Sequence, residues 1–378
     1  MDEIAGWIAL SRGDALAARD SFRQSHEQAL RAFGPYHLKV IDTLRARATA
    51  EGRLRNFGES LRLLDELEAT AAKTSGVDAR MLPGLAKERA NFLLAAGRWS
   101  DSLDQAMSAL PKCVLDLGSN HPECRELLFS KVNAMLKLGM SRAARELPSL
   151  HAMADDQKSP ALGADTLLLI LKLESLTGTP GRQAATFERL GSLIESDEGI
   201  KFGPGFRARA MLVLAESKLR ENDPEAAEEW ISKSLALQRR GDGSVPASVS
   251  AAFAQSLHGI SLLGRGHGAE ALGSLRAAQE VASKLLGADD PTTRLMSLNV
   301  SLALEVLGRN DEALALVEQA EPSLRRAMGS DAPAYVRVKE LQNHLEPVVG
   351  SRMDSQRSSG PSLSGAGASK YPPIDFFS

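Results

Sequence analysis

The chain has 378 residues, with 43% hydrophobic, 25% charged and only 4% aromatic side chains, the balance of an ordinary globular protein built on aliphatic packing. A net charge of −3 excludes a global positive field that would draw the chain to nucleic acid or an anionic membrane. Its two cysteines, Cys113 and Cys124, are too few for a disulfide framework and lack the second Cys or His pair of a zinc site, so both are expected as ordinary, partly buried thiols.

The N-terminus, MDEIAGWIALSRGDALAARD, places acids before any basic residue and charges inside its apolar stretch, a poor signal peptide. The longest nearly charge-free apolar run, Ala161 to Ile170, is too short to span a bilayer. The location these features suggest is cytoplasmic.

Three rows of residues then recur at one interval. Gly13, Arg55, Gly97 and Gly139 stand 42 residues apart, as do Gly266 and Gly308, and the 127 residues between Gly139 and Gly266 hold three further units. Five residues beyond this turn row sits a small-residue row: Ala18, Ser60, Ser102, Ala144, Ala271 and Ala313. Gly34, Gly76, Gly118, Gly287 and Gly329 mark the other end of each unit. Inside a unit the apolar positions follow a 3.6-residue period, as in LMSLNVSLALEVL and EALALVEQAEPSL, so each unit reads as two helices. The turn row closes the first helix with a left-handed residue, and the small-residue row lets the two helices approach closely. Loops such as LGSNHP at 117–122 and LGADDP at 286–291 stop one unit with Gly and restart the next with Pro. A unit of this kind buries its apolar face only by stacking. The fold class is therefore all-α, with about eight helix pairs over 1–347, a closing helix at 332–347, and a Ser/Gly-rich, disordered tail at 348–378 ending in the aromatic stub KYPPIDFFS.

GRNDEALALVEQAEPSLRRAMGSDAP at 308–333 resembles the 42-residue tetratricopeptide repeat of kinesin light chains and bacterial signalling proteins. Phe57 and Trp99 stand where that family has a turn aromatic; Gly6, Ala48, Ala90, Gly259 and Ser301 stand where it has a small residue in the first helix. The resemblance covers roughly 2–346 and is clearest in repeats 1–3 and 8. It implies a right-handed superhelical solenoid whose first helices line a concave groove that receives a protein or peptide segment.

Polar residues on such an inner wall have no packing reason to be there. Arg45, Lys87 and Phe129 share one inner position, Thr49, Asn91 and Asn133 the position four residues on, and Arg53, Ala95 and Lys137 the next. Steps of four keep one helix face, so these residues form a stripe suited to an acidic, extended or helical segment, Asn pairing with backbone and Arg or Lys with carboxylates. The family's first-helix asparagine survives only as Asn299; Ala46, Glu88, Ser130 and Leu257 stand at the matching positions, so the family's cargo-type ligands are not carried over. The apolar runs LLLILKL at 167–173 and MLVLA at 211–215 read either as thicker core or as a surface for a partner helix.

No Walker-type GxxxxGK[ST], HExxH, GxSxG or EF-hand pattern occurs. GRGHG at 264–268 falls on the turn row with no strand before it, and His37 and His121, 84 residues apart, occupy one loop position and read as structural punctuation. These features imply no cofactor, no metal and no catalysis. They leave two functions: a protein-binding scaffold or adaptor, or the sensor arm of a bacterial signalling system answering to a peptide or small molecule. The stub, with Tyr371, Phe376 and Phe377, reads as inert, as a partner-binding tail, or as a segment docking in the chain's own groove.

Overall fold

The computed structural model describes residues 2–74, 81–156, 160–178, 180–240 and 243–356. Every regular element among them is helical. The helices are α1 (Asp2–Ser11), α2 (Ala15–Phe33), α3 (Leu38–Arg53), α4 (Phe57–Ala71), α5 (Met81–Ala95), α6 (Trp99–Leu117), α7 (Pro122–Lys137), α8 (Leu147–Ala154), α9 (Pro160–Thr177) and α10 (Pro180–Glu195). They continue as α11 (Asp197–Lys201), α12 (Gly203–Arg220), α13 (Pro224–Gln238), α14 (Val249–Gly264), α15 (Gly268–Leu286), α16 (Pro291–Val306), α17 (Asn310–Met328) and α18 (Pro333–Gln356). They pack as consecutive antiparallel pairs.

The turn row has a backbone cause. Gly13, Gly97, Gly139, Gly266 and Gly308 all take φ between 70° and 81°, and Arg55 takes 61°. That conformation costs a non-glycine residue about 1 kcal/mol; Arg55 holds it with its guanidinium stacked over the Phe57 ring at 5.2 Å. Within the 127-residue interval the same role falls to Gly178 (φ 65°) and Asn222 (φ 60°). His37 and His121 are indeed punctuation. The Nδ1 of His37 accepts from the Lys39 amide at 3.1 Å, capping α3, and that of His121 lies 3.4 Å from the Glu123 amide.

The small-residue rows are equally physical. A Cβ on Gly6 would sit 2.4 Å from the Phe22 ring, and one on Gly259 2.5 Å from Leu275. Ala18, Ser60, Ser102, Ala271 and Ala313 are wholly buried. In the fourth repeat the register slips by one, and Ala143 is buried where Ala144 was expected. The cause is Pro148, which lacks an amide and whose ring crowds the carbonyl four residues back. The second helix there splits into a 3-10 stretch, Ser141–Glu146, and the short α8. Gly76 lies outside the described residues.

The chain forms two compact units, Met1–Ala134 and Met135–Ser378. In the first, Val40, Ile41, Leu44, Leu63, Leu64, Leu67 and Leu85 make a shared core, each such side chain contributing about 1.5–3 kcal/mol on burial. The cysteine expectation is overturned: Cys113 and Cys124 form a disulfide with a Cα–Cα separation of 5.6 Å. The loop between α6 and α7 folds back so tightly that the two helix ends adjoin, and both sulfurs are buried against Ala90, Ala106 and Leu127. A pair flanking a hairpin loop is close in space even when far too sparse to be a framework.

In the second unit the last helix returns to the start. The Ala334 amide donates to the Leu138 carbonyl at 3.1 Å. A Cβ on Gly139 would lie 2.9 Å from the Arg337 guanidinium and 3.1 Å from the Ala334 nitrogen. The first helices inside this arrangement are buried nearly all round: Thr166 to Leu171 in α9, Ala210 to Ser217 in α12, and every residue from Leu295 to Leu304 in α16. The runs LLLILKL and MLVLA are therefore core, the first of the two readings open to the sequence. α18 runs past the expected boundary at Pro347 to Gln356.

Candidate functional site

Most of the stripe residues fall in the first unit. The α3 pattern buries Val40, Ile41, Thr43, Leu44, Ala46, Ala48 and Ala50. It leaves Arg45 and Thr49 half-buried and Arg53 exposed. On α5, Lys87 is half-buried and Asn91 exposed; on α7, Phe129 and Asn133 are half-buried. One helix position thus stays wet in successive repeats, as the steps of four require.

Two of the charges on this face, Arg45 and Lys87, are engaged. Arg45 donates from Nε to Glu88 Oε1 at 2.7 Å, and its Nη2 lies 2.6 Å from the same oxygen. Burial works against the charged guanidinium of Arg45, yet the Glu88 hydrogen bond and charge outweigh it and its pKa is raised. Lys87 pairs with Glu126 at 3.2 Å. Each cation therefore meets a carboxylate on the first helix of the next repeat, forming a ladder of alternating sign. Asn91 Oδ1 accepts from the Ser130 hydroxyl at 2.7 Å, and Asn91 as a whole is exposed. Thr49 spends its hydroxyl on the Arg45 carbonyl at 3.0 Å.

Lys137 belongs to the second unit and to different surroundings. Burial pushes its ammonium pKa down to about 8, helped by the charge of Lys172 and opposed by Glu216 and Asp290. Glu216, with only 5% of its side chain exposed, lies 3.0 Å from Arg220 and 3.6 Å from Lys172. Burial raises the pKa of that carboxyl, but Lys172, Arg220 and Lys137 together hold it below the ordinary value. This buried cluster escaped the sequence reading; its signal was a charge standing inside each apolar run, Lys172 in LLLILKL and Glu216 directly after MLVLA. Asn299 is also removed from any ligand. It is wholly buried, and its Nδ2 donates to Ser256 Oγ at 3.3 Å.

A further concavity, which first-helix positions do not reveal, is an open cleft of about 580 Å³ between α4 and α6. Arg89 of α5 lines it, pairing with Asp65 at 2.6 Å and Glu68 at 3.0 Å.

No known family profile and no curated protein matches the sequence. Solved structures do match the fold. One is a tetratricopeptide repeat protein from Parabacteroides merdae, 14% identical, with a TM-score of 0.53, covering 79% of this chain and 96% of its own. Another is a Rap protein complexed with competence and sporulation factor, 12% identical, with a TM-score of 0.57, covering 92% of this chain and 98% of its own. The fold is tetratricopeptide-like. Among the described residues no helix is long and apolar enough to cross a membrane.

Proposed function

We propose that this chain is a non-enzymatic scaffold that holds an extended protein or peptide segment against the inner stripe of its first unit. The observation that carries this reading is the contrast within single repeat positions. Asn91 is open to water, whereas Ile260 and Leu302, at the same position of later repeats, are buried. A polar row kept wet by one unit, while the other unit seals the equivalent row, supports a surface with a use. The bound segment is read by the amides of Asn91 and Asn133, and its carboxylates compete with Glu126 for Lys87 and with Glu88 for Arg45. At Arg45 and Lys87 an acidic segment thus exchanges ion pairs with the ladder, and its affinity falls with salt. Arg53 and Phe129 flank the row as further contacts.

A second reading, a sensor arm of a signalling system, is favoured by one finding: the Rap protein of similar fold was solved with a competence and sporulation factor bound. Disulfides are rare in a reducing cytosol, so the Cys113–Cys124 bond weighs against a cytoplasmic location.

The test is affinity capture from the native host with the full chain and a Lys87→Ala/Asn91→Ala variant, followed by titration of whatever the wild type retains. The expected result is at least about a tenfold loss of affinity in a variant that remains folded. Equal affinity in a folded variant removes the stripe as the site, and recovery of a small molecule alone moves the function to the sensor arm.

A further inference from the structure

The cleft between α4 and α6 opens on the face of α5 opposite the stripe. Arg89 and Leu93 line it. They stand two residues beyond Lys87 and Asn91, and two residues turn a helix by about 200°. The cleft is apolar at depth: Leu93 is 6% exposed, and the half-buried Leu61 of α4 lines it as well. Its walls are charged. α4 contributes Asp65, and α6 contributes Asp101 and Asp104, with Gln105 and Ser108 on the same helix face.

Both cations that line the cleft are held by carboxylates. Arg89 meets Asp65 and Glu68, and Arg98 donates from Nε to Asp101 at 2.6 Å. One charge is left over: Asp104 is exposed and makes no ion pair or hydrogen bond among the described residues. The preceding repeat gives its complement. There the same three rows hold Glu59, Arg62 and Glu66, and Arg62 binds both carboxylates, at 2.7 and 3.1 Å. On α6 those rows hold Asp101, Asp104 and Ser108. A carboxylate thus stands where the repeat plan puts a guanidinium, one helical turn from a second carboxylate that repels it.

We infer that the cleft binds an arginine side chain of a partner protein, supplied from outside where the preceding repeat supplies its own. The guanidinium takes the carboxylate of Asp104, and its planar fork leaves donors for Asp65 on the facing wall. The hydrocarbon stem lies on Leu61 and Leu93, burying apolar surface that a bare cation would leave wet. A free polyamine fits less well, because an internal ammonium would be desolvated against Leu93. This site stands apart from the stripe. It takes the opposite charge on the opposite face of α5, so one chain can hold both segments at once.

The test is methyl NMR of the full chain titrated with a soluble peptide of alternating Arg and Ala, with its Glu and Ala counterpart, and with spermidine. The Leu61 and Leu93 methyl signals are expected to shift and saturate with the arginine peptide and to stay in place with the glutamate peptide. Asp104→Arg, which copies the preceding repeat, is expected to raise the dissociation constant at least about tenfold, and the isosteric Asp104→Asn to raise it in the same direction. Glu318→Arg makes the same change in net charge from an exposed site on α17 and is expected to shift the constant by less than about twofold. Lys87→Ala/Asn91→Ala is expected to leave it unchanged, which keeps this test separate from that of the stripe. Unmoved Leu61 and Leu93 methyls overturn the inference. So does equal weakening by Asp104→Arg and Glu318→Arg, which would assign attraction to the whole acidic surface. Spermidine that saturates the same methyls as tightly as the peptide would assign a free polyamine and overturn the protein segment.

Discussion

Residues that share a repeat position meet opposite surroundings in the two units. Thr49 and Asn91 stand half-open and open to water in the first unit; Ile260 and Leu302 are sealed in the second. Charged residues diverge likewise. The Arg45–Glu88 pair lies on a half-buried wall, whereas the Lys172–Glu216 pair lies inside the protein. One repeat plan therefore yields a wet row or a core. What decides is whether the inner row is apolar enough to collapse once Ala334 and Leu138 join the ends of the second unit.

The largest effect that would break this comparison comes from cutting equivalent ion pairs. Glu216→Gln leaves Arg220, Lys172 and Lys137 without their shared carboxylate, and is expected to destabilise the second unit by roughly 3–5 kcal/mol. Glu88→Gln is expected to cost the first unit about 1 kcal/mol or less. Urea unfolding followed by probes in each unit separates the two. Similar costs would mean that the two pairs share one environment.

Next in size is the disulfide. Cys113 and Cys124 close a loop with a sequence separation of 11, so replacing both by Ala is expected to lower the stability of the first unit by about 3 kcal/mol. The transition of the second unit should stay where it was. A thiol reductant in the same experiment should reproduce the shift in the wild type and add nothing in the variant.

The smallest effect is a pH slope. The Lys137 pKa is lowered to about 8 from 10.5, so between those values the unfolded chain binds more protons than the folded one. Stability of the second unit must rise with pH across that window, and below about pH 8 the penalty for burying the charge is present in full. Lys137→Met is expected to stabilise the second unit at about pH 7 and to flatten its slope between the two pKa values. Melting curves at both ends of the window check this; an unchanged slope would place Lys137 in open water.

Much of this was legible in the sequence, and the reason is local. Gly13, Gly97 and Gly308 report a left-handed backbone, and Ala18 or Ala313 a close helix approach, both set within a few residues of chain. The helical periodicity and the wet row of Thr49, Asn91 and Asn133 follow from the same short-range rules. What the pattern did not reveal was long-range. Asn299 reads as a groove residue by its position and is buried because the second unit closes over it. Lys137 sits in the same row as Arg53, yet one is exposed and the other is half-buried with a depressed pKa. The disulfide is hidden for a different reason: two cysteines say little as composition, and their place at either side of a hairpin loop is the informative fact.

The contact between Ala334 and Leu138 also changes how the second unit can come apart. An open array is a string of nearest neighbours, and it frays from whichever end is weaker. Here the two ends guard each other, so no terminal helix can peel away without first giving up the seam at Gly139. Amide hydrogens in α9, α12, α16 and the start of α18 should then exchange through one common opening, with no graded series of free energies from end to core. The second unit should behave as a single cooperative block, while the first keeps Asn91 on an inner face open to water.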